Sequence, residues 1–167
     1  MSLAEAAAEA DALAEAGSEQ ELAELRTAWG EELEGAARSE DFRERAVAYR
    51  AIGQFRWRAK EELLRRGLED TSPAARGSAL LSLELLSRDH PSTINGVRSM
   101  LHTMATADGN AAVRRLAILC LKNGSAERNT IVLLEGLAGD DEADAELRRA
   151  AGGVAQQLKK KQTQKQR

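Results

Sequence analysis

DGNAAVRRLAILCL, residues 108–121, is the middle copy of a phrase that occurs three times. The others are DTSPAARGSALLSL from Asp70 and EADAELRRAAGGVA from Glu142. Each copy opens on an acidic residue and places an arginine six positions later: Arg76, Arg114 and Arg148. An apolar residue (Ala75, Val113, Leu147) precedes each arginine, and an alanine (Ala79, Ala117, Ala151) follows three positions after it. The arginines are 38 and 34 residues apart. A period of that length marks stacked helical repeats, in which one unit cannot bury its apolar face alone. The expected fold is all-α: an α-solenoid of about four antiparallel helix pairs with an N-terminal capping helix.

Composition agrees with that class. Ala, Leu, Glu and Arg dominate the 167 residues, only two are proline, and aromatics are 3%, so strong helix formers outweigh strand formers. With an apolar fraction of 43% and few large rings, the core must be built from Ala and Leu. One cysteine, Cys120, excludes a disulfide framework within the chain and a cysteine-based zinc site; it reads as a small buried thiol. No stretch approaches the ~18 apolar residues of a membrane span. The Ala/Glu-rich start is the opposite of a secretory leader, so a soluble, cytoplasmic protein is expected.

The net charge of −3 conceals a separation. Residues 1–41 carry −10, residues 42–68 +5, residues 69–158 −3, and residues 159–167 +5. An acidic beginning is thus followed by a basic segment, and the chain closes on a basic tail.

Helix punctuation divides the chain further. Residues 3–16 read as a first helix ended by Gly17. Ser18 with Glu21 has the spacing of a capping box for a second helix running to about Ala37. Ser39 is placed to cap a third, up to Gly53, and a fourth covers about 55–68. Thr71-Ser72-Pro73 is a strong helix start for 73–87. Ser92 or Thr93 opens the next helix, which includes Ile94, Val97, Leu101 and Met104; helices over 111–122, 126–138 and 143–160 follow. That is about nine helices joined by short turns. The expected organisation is one domain over 1–160, with a cap and degenerate repeat in 1–53 and three clearer repeats over 55–158. Residues 161–167, with no apolar anchor, are expected to be a disordered basic tail.

The repeated phrase resembles the HEAT family, in the variety also seen in bilin-lyase-like proteins of bacteria. The resemblance rests on Asp70, Asp108 and Glu142 with Arg76, Arg114 and Arg148, and on the apolar and alanine positions between and after them. It implies that the acid lies in the turn between the two helices of a repeat and that the arginine lies in the first turn of the second helix. Acid and arginine would then form a hydrogen-bond ladder across stacked units. Elementary chemistry permits this, since a planar guanidinium can bond carboxylates of two neighbouring units. In the third copy Asp140 and Asp141 are as available to the ladder as Glu142.

No catalytic constellation, metal site or cofactor motif emerges. His90 and His102 are the only histidines and lack further ligands at a workable spacing. Gly152-Gly153 lies inside a helical phrase and reads as close packing or a bend rather than a phosphate loop. Glu31-Glu32 and Asp140-Asp141 read as solvated or capping acids. The basic segment holds Arg43, Arg45, Arg50, Arg56, Arg58, Lys60, Arg65 and Arg66, with Phe55 and Trp57 between, a mixture that can bind nucleic acid. Helical spacing scatters these residues, however, and neutralising the acidic N-terminal helices explains them better.

The expectation is a non-catalytic interaction scaffold without a cofactor. The resemblance implies a concave surface lined by the second helix of each pair, to which Arg115, Leu119, Lys122, Arg149 and Gln156 would contribute. Its partner would be another protein or peptide, plausibly an acidic one. A nucleic-acid-binding protein using segment 43–66 is the alternative, and a non-catalytic subunit of a lyase-type complex is a second one.

Overall fold

A computed structural model describes residues 1–165. Among them there are ten α-helices, one 3-10 turn and no strand. The chain divides into two compact units, the first Met1–Leu86 and the second from Ser87 onward.

The first unit contains α1 (Leu3–Glu15), α2 (Glu19–Ala37), α3 (Phe42–Gln54), the 3-10 turn Arg58–Lys60, α4 (Glu61–Gly67) and all but the last residue of α5 (Pro73–Ser87). Helices α1, α2 and α3 each pack on the other two, and α4 returns onto α3. Alanines make the close contacts: Ala6, Ala7, Ala10, Ala48 and Ala51 are fully buried, alongside Leu22, Leu33, Ile52 and Phe55. Small side chains let helix axes approach while the leucines supply buried apolar area.

Two departures from the sequence expectation occur at helix ends. The capping box forms at Ser2 and Glu5, which exchange both bonds, and not at Ser18 and Glu21. The reason is that the Ser18 amide already bonds the Leu13 carbonyl (2.9 Å) in the turn that ends α1, where Gly17 takes a positive φ of 74°. That amide is the one a capping-box glutamate would need. Likewise α3 is capped by Asp41, whose Oδ1 accepts from the Arg43 amide at 2.9 Å, and not by Ser39.

The same closing turn recurs after α3, but with an arginine where α1 has its glycine. The Trp57 amide reaches back to the Ile52 carbonyl (3.0 Å) and Arg56 adopts φ 51°. Its guanidinium is held on the Asp11 carboxylate (2.7 Å), the Glu15 carboxylate (2.9 Å) and the Gly53 carbonyl (3.0 Å). From α2, Arg26 donates to the carbonyls of Phe55 and Arg56 (2.8 and 3.0 Å). These bonds offset the roughly 1–2 kcal/mol that a non-glycine residue loses in the left-handed region. This turn also explains why the expected helix over 55–68 starts only after Trp57.

α5 meets α3 through Ser82, which is fully buried. Its hydroxyl accepts from the Gly53 amide (2.9 Å) and lies 2.5 Å from the Tyr49 carbonyl, so it is inserted into the hydrogen-bond ladder of α3. The approach requires glycine, because a Cβ on Gly53 would stand 2.7 Å from Ser82 Cα. Gly67 on α4 is similarly pressed, its Cβ position lying 2.9 Å from Ala79 and 3.1 Å from the Tyr49 ring.

The second unit contains α6 (Ser92–Asn95), α7 (Arg98–Ala107), α8 (Ala111–Leu121), α9 (Arg128–Ala138) and α10 (Ala145–Lys165). The expected single helix from Ser92 is interrupted at Gly96-Val97. α7 packs on α8 and α9 on α10, while α8 also meets α10 and α7 meets α9. Such next-but-one contacts are the packing of repeated helix pairs. Leu101, Ala105, Ala117, Ile118, Leu134, Ala151 and Leu158 are fully buried in it.

The tail expected to be disordered is helical as far as Lys165; residues 166–167 lie outside the described residues. The anchor is polar. The Lys161 ammonium donates to the carbonyls of Lys122 and Gly124 at the end of α8, and Lys159 pairs with Glu135 of α9 at 2.9 Å. A cation closing a helix C-terminus is favoured by the orphan carbonyls there.

Gly53→Ala is expected to cost about 1–3 kcal/mol by overpacking against the Ser82 backbone. Gly136→Ala, whose Cβ meets nothing within 4 Å, is expected to stabilise by up to ~1 kcal/mol through helix propensity. Urea unfolding of the two variants beside the parent chain checks both signs.

Candidate functional site

In every copy of the phrase the residue four before the arginine is the helix N-cap. Ser72, Asn110 and Asp144 accept from the amides of Ala75, Val113 and Leu147 at 3.4, 3.1 and 3.3 Å. The arginine amide then bonds the carbonyl of that cap at 3.0 Å in all three. The acid two residues earlier shapes the turn: Asp70 and Asp108 each accept, at 2.9 Å, from the amides of Ser72 and Asn110. Glu142 does not. Its side chain is exposed, and its own amide donates to Asp140 Oδ1 at 3.1 Å, which moves the acid-capped turn two residues back.

This register exposes a fourth copy. Ser39, Asp41, Arg45 and Ala48 occupy the positions of turn residue, cap, arginine and alanine. Ser39 Oγ accepts from the Asp41 amide at 3.1 Å, as Asp70 does from Ser72. The acidic first position and the apolar residue before the arginine (here Glu44) are both missing, which hid the copy; the cap four before an arginine, followed by alanine three after it, is the signal that finds it.

Arg45 makes a two-pronged contact with a largely buried carboxylate. Its Nε and Nη2 hold the two oxygens of Asp70 at 2.8 and 3.0 Å, and its Nη1 donates to the carbonyls of Ser39 and Glu40, both 3.0 Å. The Asp70 side chain is only 6% exposed and that of Arg45 17%. Arg76 uses Nη1 on the backbone carbonyl of Asp70, at 2.9 Å. In the second unit Arg114 Nε donates to the Ala105 carbonyl at 2.9 Å, closing α7, and Arg148 Nη1 lies 3.8 Å from the exposed Asp141.

The five residues assigned to a contact surface all lie in the second unit, on α8 and α10 or just past α8. Arg115, Leu119 and Lys122 are half-buried, at helical spacings of four and three, while Arg149 and Gln156 are exposed seven apart along α10. Arg115 Nη1 meets Glu146 Oε2 of α10 at 2.5 Å, so part of the expected positive charge is internally compensated. Arg149 has no carboxylate partner among the described residues.

The basic segment is largely engaged by acids within its own unit. Arg45 holds Asp70, Arg56 holds Asp11 and Glu15, Arg58 lies 3.5 Å from Glu61, and Lys60 pairs with Glu34. The Lys60 ammonium also stands over the Trp57 ring, 5.1 Å from its centroid. Its hydrogen bond and charge hold the Glu34 carboxyl below the usual range. Arg65 and Arg66 remain exposed on α4.

His102 Nε2 lies 2.9 Å from Thr130 Oγ1, a residue buried between helices. Burial first, and then the Arg98 guanidinium, push the imidazole below its ordinary pKa, while Glu127 opposes them. A neutral ring hydrogen-bonded to a hydroxyl is a packing element. Cys120 is buried in α8. Among the described residues no group of three or more His, Cys, Asp or Glu is placed to hold a metal ion, and no helix is long and apolar enough to cross a membrane. No protein-family model matches the chain, and no curated protein matches it in sequence.

The Arg45 hydrogen bonds hold the Asp70 carboxyl below its normal range, with the Ser72 amide assisting and burial opposing. A depressed carboxyl pKa contributes stability above the unfolded value of about 4 and loses it as pH falls through the folded value. Arg45→Gln should therefore lower the urea midpoint at pH 7, with the deficit shrinking below about pH 4. A deficit that stays constant from pH 7 to pH 3 would show that the pair does not act through the carboxylate.

Proposed function

We propose that the chain is a HEAT-like helical-repeat protein that acts without catalysis of its own, as an interaction scaffold. Its contact face is the one built from α8 and α10, with Arg115, Leu119, Lys122, Arg149 and Gln156. The observation that carries this is that α8 and α10 pack on each other and each presents such residues at helical spacing: 115, 119 and 122 on and just past α8, and 149 and 156 on α10. Four copies of the cap–arginine–alanine register support the family reading.

The partner class is a protein or peptide with acidic side chains. Arg149 offers an uncompensated guanidinium, and Arg115 offers a second one if a ligand carboxylate replaces Glu146. Leu119, half-buried one turn after Arg115, adds apolar surface. The engagement of segment 43–66 by Asp11, Glu15, Glu34, Glu61 and Asp70 weakens the nucleic-acid alternative, because those cations already have counter-charges.

Affinity capture from native lysate tests this face. Arg115→Glu with Arg149→Glu should abolish capture of the proteins retained by the parent chain, whereas Arg65→Glu with Arg66→Glu should leave it unchanged. Glu146→Gln should strengthen retention by releasing Arg115. Capture unaffected by the first pair refutes the surface. Salt-dependent binding of a short DNA duplex that disappears with the second pair would assign the function to α4 and to nucleic acid instead.

A further inference from the structure

A second surface lies in the first unit and is independent of the α8–α10 face. The start of α1, the last turns of α2 and the first turns of α3 enclose an open groove of about 590 Å³. Its apolar lining is small: Leu3, Ala4, Gly35, Ala36 and Val47. Five large apolar side chains are exposed among the described residues, and one of them, Val47, belongs to this lining. Met1 and Phe42 directly precede the lining residues Ser2 and Arg43. A concavity lined mainly by small apolar groups is shaped to seat an apolar partner surface.

The rim is acidic. Glu32 and Glu44 line the groove and have no ion partner among the described residues, while the lining cation, Arg43, lies 3.9 Å from Asp41 and is stacked on the Phe42 ring at 5.6 Å. The cations that neutralise the N-terminal helices, Arg56 and Lys60, are spent on Asp11, Glu15 and Glu34. The groove therefore combines an apolar floor with uncompensated negative charge.

That combination selects its occupant. A small molecule would need convergent polar groups to orient it. The Ser2 hydroxyl and the neighbouring Glu5 carboxylate are instead consumed in the capping box of α1. Strand addition needs a sheet edge, and there is no strand among the described residues. A second copy meeting groove to groove would set Glu32 and Glu44 against their own equivalents, which like-charge repulsion opposes. The basic run Lys159–Lys165 has the right charge but no apolar side chain to bury. The remaining mode is a helix laid in a groove, read by apolar anchors three and four residues apart. Ala4, Gly35 and Ala36 admit its backbone closely.

We infer that this groove binds an amphipathic helix of a partner protein whose apolar stripe is flanked by lysine or arginine.

Two model helical peptides of about 14 residues, identical in leucine spacing but carrying either lysine or glutamate elsewhere, test this on the full chain by fluorescence anisotropy. The Leu/Lys peptide should bind saturably, at least about tenfold tighter than the Leu/Glu peptide, and more weakly at higher salt. Gly35→Leu should abolish that binding; a Cβ at Gly35 meets nothing within 4 Å, so the variant fills the groove without disturbing the fold, as an unchanged thermal melt would verify. Glu32→Lys with Glu44→Lys should reverse the peptide preference. Arg115→Glu with Arg149→Glu should leave it intact, which separates this surface from the α8–α10 face. Equal binding of both peptides, or Leu/Lys binding that survives Gly35→Leu, overturns the inference. So does concentration-dependent self-association that Gly35→Leu abolishes, which would put a second copy in the groove.

Discussion

A carboxylate taken out of water must be given hydrogen bonds, and Asp70 receives them from both sides. Arg45 grips both oxygens, and the Ser72 amide adds a third bond. Arg76 meanwhile holds the backbone carbonyl of the same residue. Each contact ties a different element: the first turn of α3, the turn entering α5, and the first turn of α5 itself. Arg45 adds the carbonyls of Ser39 and Glu40, so its one side chain links the start of its own helix to the start of α5. A planar group with five donors in a fixed fork suits this set of acceptors, whereas a lysine has three donors on one nitrogen and cannot reproduce the fork on both carboxylate oxygens. The close approach of α5 to α3 at Gly53 and Ser82 then follows, because the helix starts are already fixed in register.

The sequence phrase was legible for a physical reason. Its residues act on their own helix start, through bonds that span two to six positions, and such local chemistry leaves a fixed spacing in the chain. Ser72, Asn110 and Asp144 as caps, and the arginine amides on the cap carbonyls, are of this kind. The part that was not legible spans longer distances. Nothing in the spacing says that Asp70 meets Arg45, 25 residues earlier, rather than the side chain of Arg76. The same applies to Ser18, which has a capping partner at the right spacing but loses its amide to Leu13. A motif predicts what its residues are able to bond; competition from neighbouring turns decides which bonds form.

The charge separation behaves in the same way. On paper, residues 1–41 at −10 and residues 42–68 at +5 look like two opposed surfaces. Folded, much of that contrast cancels inside the first unit, at Arg56 with Asp11 and Glu15 and at Lys60 with Glu34. Arg56 goes further, since its ion pairs hold a left-handed backbone that another turn of this protein assigns to glycine. Those charges serve the fold, and counting them toward a nucleic-acid footprint overstates it. The candidate contact residues on α8 and α10 were chosen by the family resemblance, which carried no sign of Glu146, the residue that takes up Arg115.

Surfaces for recognition are better sought where charge has no internal partner. Two places satisfy that condition by different routes. On α10, Arg149 stands exposed one residue beyond the arginine that the repeat register claims, so the register itself leaves it over. At the groove of α1, α2 and α3, Glu32 and Glu44 do not share the ion pairs with Arg56 and Lys60 that Asp11, Glu15 and Glu34 form. Arg148 and Arg149 are neighbours and Glu32 and Glu34 share α2, so only the pairing distinguishes a residue the fold uses from one it leaves. The residual charges differ in sign: a guanidinium is left over in the second unit and two carboxylates in the first, so the two proposed surfaces call for partners of opposite charge.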